Sequence, residues 1–169
     1  MLGYVVAEAR GESDALLADV AAQLHARGLP LAGAVQVNLV NDPARACDMD
    51  LHVLAMGRVV RISQNLGALS KGCRLDPAGL EEAVGLVEAA LIAQPQLLIV
   101  NKFGKQELDG RGFRPAIGQA LAAGIPVLTA VNQGNLAGFD DFAQGMGTRL
   151  PANLAAVLDW CDEITSDSV

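Results

Sequence analysis

Basic side chains cluster in one segment of a chain that is acidic overall. The aliphatic run at residues 96–100 is followed by residues 101–114, which are rich in charge and glycine, while the whole chain has a formal net charge of −7. Cations beside the amides of a helix N-terminus can form an anion pocket. The alternative is a solvated loop whose cations pair with Glu107 and Asp109. The basic residues of this segment are Lys102, Lys105, Arg111 and Arg114.

The segment Val6 to Ser13 has the spacing of a phosphate-binding loop without its lysine. Such a loop is a glycine-rich turn between a strand and a helix, with a lysine before the final Ser or Thr. Gly11 and Ser13 match the last glycine and the hydroxyl, but Val6 stands at the first glycine and Glu12 at the lysine. A carboxylate there would repel phosphate. The sequence favours an ordinary turn with Ser13 or Asp14 as the helix cap, and a loop that still holds some anion is the alternative.

The aliphatic run also lacks the acid that a magnesium site requires. In phosphate-loop enzymes a strand of this kind ends in an acid that helps to hold Mg²⁺. Here Asn101 and Lys102 follow the strand instead, and both are candidate ligand-binding residues, as are Gly11 and Ser13. The pair fits the start of the guanine-reading Asn-Lys-x-Asp motif, but Gly104 replaces its Asp, and we reject that match. We therefore expect little or no Mg²⁺-dependent nucleotide hydrolysis.

A third polar segment covers residues 63–74 and combines hydroxyls, amides, cations and glycines. Groups of these types on a loop can bind an oxyanion or a nucleotide phosphate. A surface connection with a turn at residues 65–67 is the equal alternative. The candidate ligand-binding residues of this segment are Ser63, Asn65, Lys71 and Arg74.

Histidines and the remaining acids do not predict a metal site. His25 and His52 have no Cys or carboxylate constellation typical of a metal centre, so both are expected to be structural. Asp48 and Asp50 have strand spacing, which puts them on one face. The favoured interpretation is an exposed edge, and a Mg²⁺ site is the alternative.

Alternating strands and helices must position these loops. We predict an α/β fold with a doubly wound, mostly parallel sheet, helices on both faces, and a β-hairpin insertion near residues 47–63, all in one domain of residues 1–169. Strands are expected at 2–7, 31–38, 49–54, 58–63, 96–100 and 126–131. Helices are expected to start near 13, 76 and 115, with weaker ones at 136–143 and 153–162.

Loops 8–14, 64–74 and 101–114 should emerge together at the carboxyl ends of the strands. Ligands in such sheets bind at these ends. We therefore predict that Lys102, Arg111, Arg114 and the 63–74 segment converge on one crevice beside Gly11.

Composition and charge exclude some classes of binding partner. The acidic net charge argues against general binding of nucleic acid or anionic membranes. No apolar run reaches the length of about 18 residues that membrane insertion requires. The first ten residues do not have the pattern of a signal peptide, so a cytoplasmic location with reduced cysteines is expected. A Cys47–Cys73 pair is a disfavoured alternative.

Two long segments carry a resemblance. ISQNLGALSKGCRLDPAGLEEA and LLIVNKFGKQELDGRGFRPAIGQALAAGIPVLTAV resemble a bacterial family of unknown function whose members are often encoded near molybdate-uptake genes. More distantly, the order of elements looks like that of the small phosphate-loop nucleoside-triphosphatases. In those proteins two acids precede an Ile-Gly-x-x-Glu-like turn. Gly104 and Glu107 fit that turn, whereas Asn101 and Lys102 stand where the acids belong.

The favoured function is a non-hydrolysing, phosphate-loop-like protein that binds a small oxyanion or a nucleotide, with molybdenum metabolism suggested by the resemblance. One alternative is a nucleoside-triphosphatase of altered mechanism, in which Lys102 or Lys105 replaces the loop lysine. Another is a protein-interaction module. No catalytic residue or cofactor is identified, and a homo-oligomer or a protein partner is left open.

Overall fold

A computed structural model describes residues 1–9, 11–39, 48–64 and 74–166 of the chain. Among these residues, seven strands form one sheet in the order β4-β3-β2-β5-β6-β1-β7. The strands are β1 (Leu2–Val6), β2 (Leu31–Leu39), β3 (Asp48–Val53), β4 (Arg58–Arg61), β5 (Leu97–Val100), β6 (Val127–Val131) and β7 (Gly147–Leu150). The helices are α1 (Glu12–Ala26), α2 (Pro77–Leu91), α3 (Lys105–Leu108), α4 (Arg114–Ala122), α5 (Leu136–Ala143) and α6 (Leu154–Ser166), with a 3₁₀ turn at Gln133–Asn135.

The sheet is mostly parallel. Strands β2, β5, β6, β1 and β7 pair in parallel, whereas β3 pairs antiparallel with both β2 and β4. The predicted α/β architecture with a β-hairpin insertion is confirmed. The sequence reading did not predict β7, which adds an edge strand beside β1.

Helices cover both faces of the sheet. Helices α1 and α6 pack on one face through side chains such as Leu17 and Val157, and α2, α4 and α5 pack on the other through Val84, Ile117 and Phe139. The buried stripe of α1 has helical spacing, so it faces the sheet along its whole length. This stripe is Leu17, Val20, Ala21 and Leu24.

The starts of two helices place polar groups at the carboxyl edge of the sheet. Asp76 caps α2 at the predicted start of that helix, because its side chain accepts the Ala78 N–H at 3.1 Å. The predicted cap of α1 by Ser13 or Asp14 is wrong, since both residues lie inside the helix. Gly11 is the cap, with φ of 79°, a left-handed conformation that glycine adopts without steric cost.

None of the described helices combines the length and the apolar character needed to span a bilayer.

Candidate functional site

A cavity of about 700 Å³ lies at the carboxyl-terminal edge of the parallel strands. The segments that follow β1 and β5 line it, together with the ends of β2 and β6 and the inner side of the hairpin. Gly11, Ser13, Asn101, Lys102 and Lys105 all belong to the lining. Loops far apart in the sequence therefore meet at this edge, as the sheet topology requires.

A closed ring of hydrogen bonds joins α1, β2 and the end of β5 within this cavity. Asn101 Nδ2 donates to Asp14 Oδ1 at 2.7 Å, and Asn101 Oδ1 accepts the Gln36 N–H at 2.8 Å. Gln36 Nε2 donates to Asn38 Oδ1 at 2.8 Å, and Asn38 Nδ2 donates to Asp14 Oδ2 at 3.0 Å. Gln36 and Asn101 are buried. Because buried amides must find partners, the ring fixes these strand ends relative to α1.

The ring includes Asn101, the residue that follows β5 where the sequence analysis expected the magnesium carboxylate of a phosphate-loop enzyme. Asn101 is a neutral carboxamide, and both oxygens of Asp14 already accept an amide hydrogen. Magnesium prefers carboxylate and water oxygens in an octahedral arrangement. In addition, no group of three His, Cys, Asp or Glu side chains in the described part of the chain is arranged to hold a metal ion.

The first loop carries its own carboxylate. Glu12 Oε2 accepts the Ala9 N–H at 3.2 Å, and the Glu12 N–H donates to the Ala9 carbonyl at 3.2 Å. A backbone N–H that would face a phosphate in a functional loop therefore faces Glu12. Two acids, Glu12 and Asp14, also occupy the first turn of α1, where negative side chains interact favourably with the helix dipole.

Glu107 organises the segment after β5. Its Oε1 accepts the Gly104 N–H at 2.8 Å and its Oε2 accepts the Phe113 N–H at 3.0 Å, so one carboxylate satisfies the amides at the starts of α3 and α4. Gly112 packs so closely that a Cβ there would overlap the Glu107 carboxylate. Burial raises the pKa of Glu107 above its usual value, while the two amide hydrogen bonds oppose that rise.

The predicted basic cluster divides into two pairs. Lys102 and Lys105 are exposed side chains on the cavity lining. Arg111 and Arg114 are not part of the lining among the described residues. Arg111 pairs with Asp109 at 3.4 Å and is 65% exposed. This is the solvated ion pair that the sequence analysis gave as the alternative. The predicted convergence of Arg111 on the crevice is therefore wrong.

Arg114 is used within the protein. Its guanidinium donates to the carbonyls of Glu107 and Leu108 at 3.3 and 3.4 Å, and it lies 5.1 Å from the ring centroid of Phe142. These contacts hold the segment after β5 against α5. The predicted convergence of Arg114 on the crevice is therefore also wrong.

The 63–74 segment is described only at its ends. Ser63 Oγ accepts the Met49 N–H at 3.1 Å, which ties the end of the hairpin together. The Arg74 side chain is exposed, and the backbone carbonyl of Arg74 accepts the Gln64 N–H at 2.8 Å. Asn65 and Lys71 lie outside the described residues, as does the Cys47–Cys73 pair, so their predicted roles stay predictions.

The hairpin acids form ion pairs. Arg61 contacts Asp50 through its Nε and Asp48 through a terminal nitrogen at 3.3 Å. The hydrogen bond to Asp50 raises the pKa of Arg61. The two acids share one face with Arg61, as their spacing predicts. The predicted exposed edge is wrong, because β3 lies between β2 and β4 and Asp50 is buried.

Four carboxamides of the site were not predicted from the sequence. Gln36, Asn38, Asn132 and Asn135 line the cavity in addition to Asn101. Their positions in the sequence indicated this role, since Gln36 and Asn38 lie near the carboxyl end of the apolar strand β2, and Asn132 and Asn135 follow the apolar strand β6. Asn132 also caps the 3₁₀ turn, because its Oδ1 accepts the Asn135 N–H at 2.9 Å. Amides can donate to or accept from a bound ligand.

A family model described as "Protein of unknown function (DUF2478)" matches residues 2–160. The chain belongs to this family. The relationship that the two long segments predicted is thereby confirmed, and it covers nearly all of the DUF2478 chain.

One relative carries a functional name. The molybdenum import ATP-binding protein ModC 2 of Bradyrhizobium diazoefficiens is 38% identical over 153 residues, which are 90% of this chain and 17% of that protein. The DUF2478 chain thus matches less than a fifth of the relative's length.

The fold has a structural counterpart. The crystal structure of THEP1 from the hyperthermophile Aquifex aeolicus aligns with a TM-score of 0.66 at 12% identity, covering 100% of this chain and 97% of that chain. At this identity the likeness shows the fold alone. The chain shares the fold of THEP1 along its whole length, and the predicted α/β fold with a mostly parallel sheet is confirmed.

Proposed function

We propose that this chain binds a small oxyanion or a nucleotide in the strand-end cavity and does not hydrolyse it. The observation that carries the proposal is the Asp14–Asn101 hydrogen bond of 2.7 Å, which replaces a magnesium-binding acid by an internal amide–carboxylate contact. With Glu12 at the lysine position, the charges that stabilise phosphoryl transfer are absent from both of their usual places.

Binding is supported by the groups that line the cavity. Lys102 and Lys105 bring two cations to it, and the side-chain amides of Asn132 and Asn135, which are outside the ring, also line it. A charge-assisted hydrogen bond contributes about 1.5–3 kcal/mol, so two such contacts can hold an anion with useful affinity. The volume of about 700 Å³ falls in the range of roughly 300–1,000 Å³ that is typical of small-molecule sites.

The relative's name supports a finer proposal. Because that protein is named for molybdenum import, molybdate and tungstate belong among the oxyanions to be tested. We place the function of this chain in molybdenum metabolism on that similarity.

A second candidate is a nucleoside-triphosphatase of altered mechanism. It is favoured by one observation, that Lys102 and Lys105 line the same cavity as Gly11 and Ser13. In that mechanism one of these lysines would supply, from the side of the cavity opposite the phosphate loop, the positive charge that is missing because Glu12 stands at the lysine position. Measurable turnover that depends on Lys102 or Lys105 would favour this candidate.

The experiment is titration calorimetry with phosphate, molybdate, tungstate, ADP and GDP. We expect at least one of these to bind with a dissociation constant below about 1 mM, and Lys102→Ala with Lys105→Ala to weaken binding at least tenfold, by about 1.4 kcal/mol. Arg111→Ala is the matched control and should bind as wild type, because Arg111 lies outside the cavity lining. Absence of binding by all five ligands would favour the protein-interaction module instead.

A further inference from the structure

The cavity has an apolar wall that an inorganic oxyanion would not use. Met49 and Leu51 on β3, Ile62 after β4, and Leu75 and Leu80 at the start of α2 all line it. Met49 and Leu75 are half-buried, whereas the other three are buried. Apolar surface in a binding cavity stabilises a ligand by about 25 cal/mol per Å² removed from water. This wall is therefore suited to an apolar or aromatic group.

The cationic part of the cavity lies at a distance from this wall. Lys102 follows β5, and the sheet order places β2 between β5 and β3. Neighbouring strands are about 4.8 Å apart, so the axes of β5 and β3 are roughly 10 Å apart. A tetrahedral oxyanion held by Lys102 is too small to reach across that interval. A ligand that contacts both parts needs a ring system as well as a charge.

The phosphate-loop side of the cavity is less suited to an anion. There the Ala9 N–H donates to the Glu12 carboxylate, and the first turn of α1 carries both Glu12 and Asp14. An incoming anion would meet the charges of Glu8 and Asp14, which line the cavity. The Asp14 carboxylate already accepts hydrogen bonds from Asn38 and Asn101 at the ends of β2 and β5. The favourable place for the charge of the ligand is therefore beside Lys102 and Lys105, after β5, which the sheet order places nearer to the hairpin than β1.

We infer, on the basis of the proposed anion binding, that the ligand is an aromatic organic anion whose ring packs on the hairpin wall and whose phosphate, sulfonate or carboxylate meets Lys102 and Lys105. The binding position is displaced from the phosphate loop toward the hairpin. Bare oxyanions occupy only the cationic part and bind more weakly.

The test uses 8-anilinonaphthalene-1-sulfonate, an aromatic ring system with one anionic group, and the uncharged N-phenyl-1-naphthylamine. Fluorescence titration of the wild-type chain should give one saturable site for the sulfonate. Met49→Glu and the double variant Lys102→Ala with Lys105→Ala should each raise its dissociation constant at least tenfold. The uncharged compound should bind at least tenfold more weakly than the sulfonate and be insensitive to the lysine substitutions.

Matched controls separate the cavity from general hydrophobic binding. Met56→Glu changes an exposed methionine of the same hairpin that is not part of the described lining, and Arg111→Ala removes a cation outside it. Both should bind the sulfonate as wild type within about twofold. Met49→Gln, which keeps the side-chain length without adding a charge, should weaken binding in the same direction if Met49→Glu does not fold.

The outcomes distinguish this inference from the proposed function. If molybdate or phosphate binds through Lys102 while the sulfonate does not bind, or binds regardless of Met49→Glu and Met49→Gln, the aromatic-ligand inference is overturned and anion binding stands. If the inorganic anions, ADP, GDP and the sulfonate all fail to bind, both proposals fail. Equal loss of sulfonate binding in Met56→Glu would also overturn the inference, because it would place the dye outside the cavity.

Discussion

Substituting Asn101 by Asp should convert the hydrogen bond that joins β5 to α1 into a repulsion. Asn101 Nδ2 donates to Asp14 Oδ1 at 2.7 Å, and the Asn101 side chain is 2% exposed. The new carboxylate would keep the contact with the Gln36 N–H, because that contact uses an oxygen already. It would face Asp14 with no hydrogen between the two oxygens.

Two estimates of the cost agree. Two unit charges about 4 Å apart interact by about 4 kcal/mol at an effective dielectric constant of about 20. The pair can avoid this repulsion by binding a proton, and protonating a carboxyl of ordinary pKa, about 3.9, costs about 4 kcal/mol at pH 7 and about 1.5 kcal/mol at pH 5. Asn101→Asp should therefore destabilise the protein by about 4 kcal/mol at pH 7 and by less than half of that at pH 5.

Urea unfolding followed by the fluorescence of the single tryptophan, Trp160, measures this difference at both pH values. Asn38→Asp is the matched control, since Asn38 donates to the other oxygen of Asp14 at 3.0 Å but is exposed. Solvent and salt screen that pair, so its cost should stay near or below 1 kcal/mol. An Asn101→Asp protein as stable as wild type at pH 7 would refute the Asp14–Asn101 contact. Equal losses in the two variants would refute the role of burial.

The segment after β5 yields two further predictions. Glu107→Gln leaves one of the Gly104 and Phe113 N–H groups facing an NH₂ group, which should cost about 1–3 kcal/mol. The raised pKa of Glu107 means that the stability linked to its proton is present below the unfolded pKa and lost as pH rises through the folded pKa. The deficit of Glu107→Gln in urea unfolding should therefore be larger at pH 4 than at pH 7, and a deficit that grows with pH would contradict this reasoning. Gly112→Ala should cost about 3 kcal/mol or more, because φ is 59° and the new Cβ would overlap the Glu107 carboxylate, whereas Gly110→Ala, with φ of 84° and open space, should cost about 1 kcal/mol in thermal unfolding. Equal losses in the two alanine variants would show that the contact with Glu107 is unimportant.

Local sequence patterns predicted most of the fold. The start of α2 near residue 76 and the β-hairpin near residues 47–63 depend on residues close in sequence, so periodicity and residue type are sufficient to find them. The short strand β7 was missed, because its four residues carry an exposed Thr148 and Arg149 and no apolar run.

The site was harder to predict, because its decisive contacts join distant parts of the chain. Asp14 and Asn101 are 87 positions apart, and no spacing rule links them. The sequence showed that Asn101 stands in place of an acid, but not that its amide is bonded to Asp14. Likewise, Arg114 looked like an anion ligand, whereas the fold brings its guanidinium to two backbone carbonyls and to Phe142.

The most direct test of the central claim is phosphate release from ATP and GTP by the purified protein in the presence of Mg²⁺. With Glu12 at the lysine position and Asn101 bonded to Asp14, we expect release no faster than in buffer alone, and the same result for Glu12→Ala and Asn101→Ala. Robust Mg²⁺-dependent turnover by the wild type that is abolished by either substitution would contradict the claim that this cavity binds its ligand without hydrolysing it.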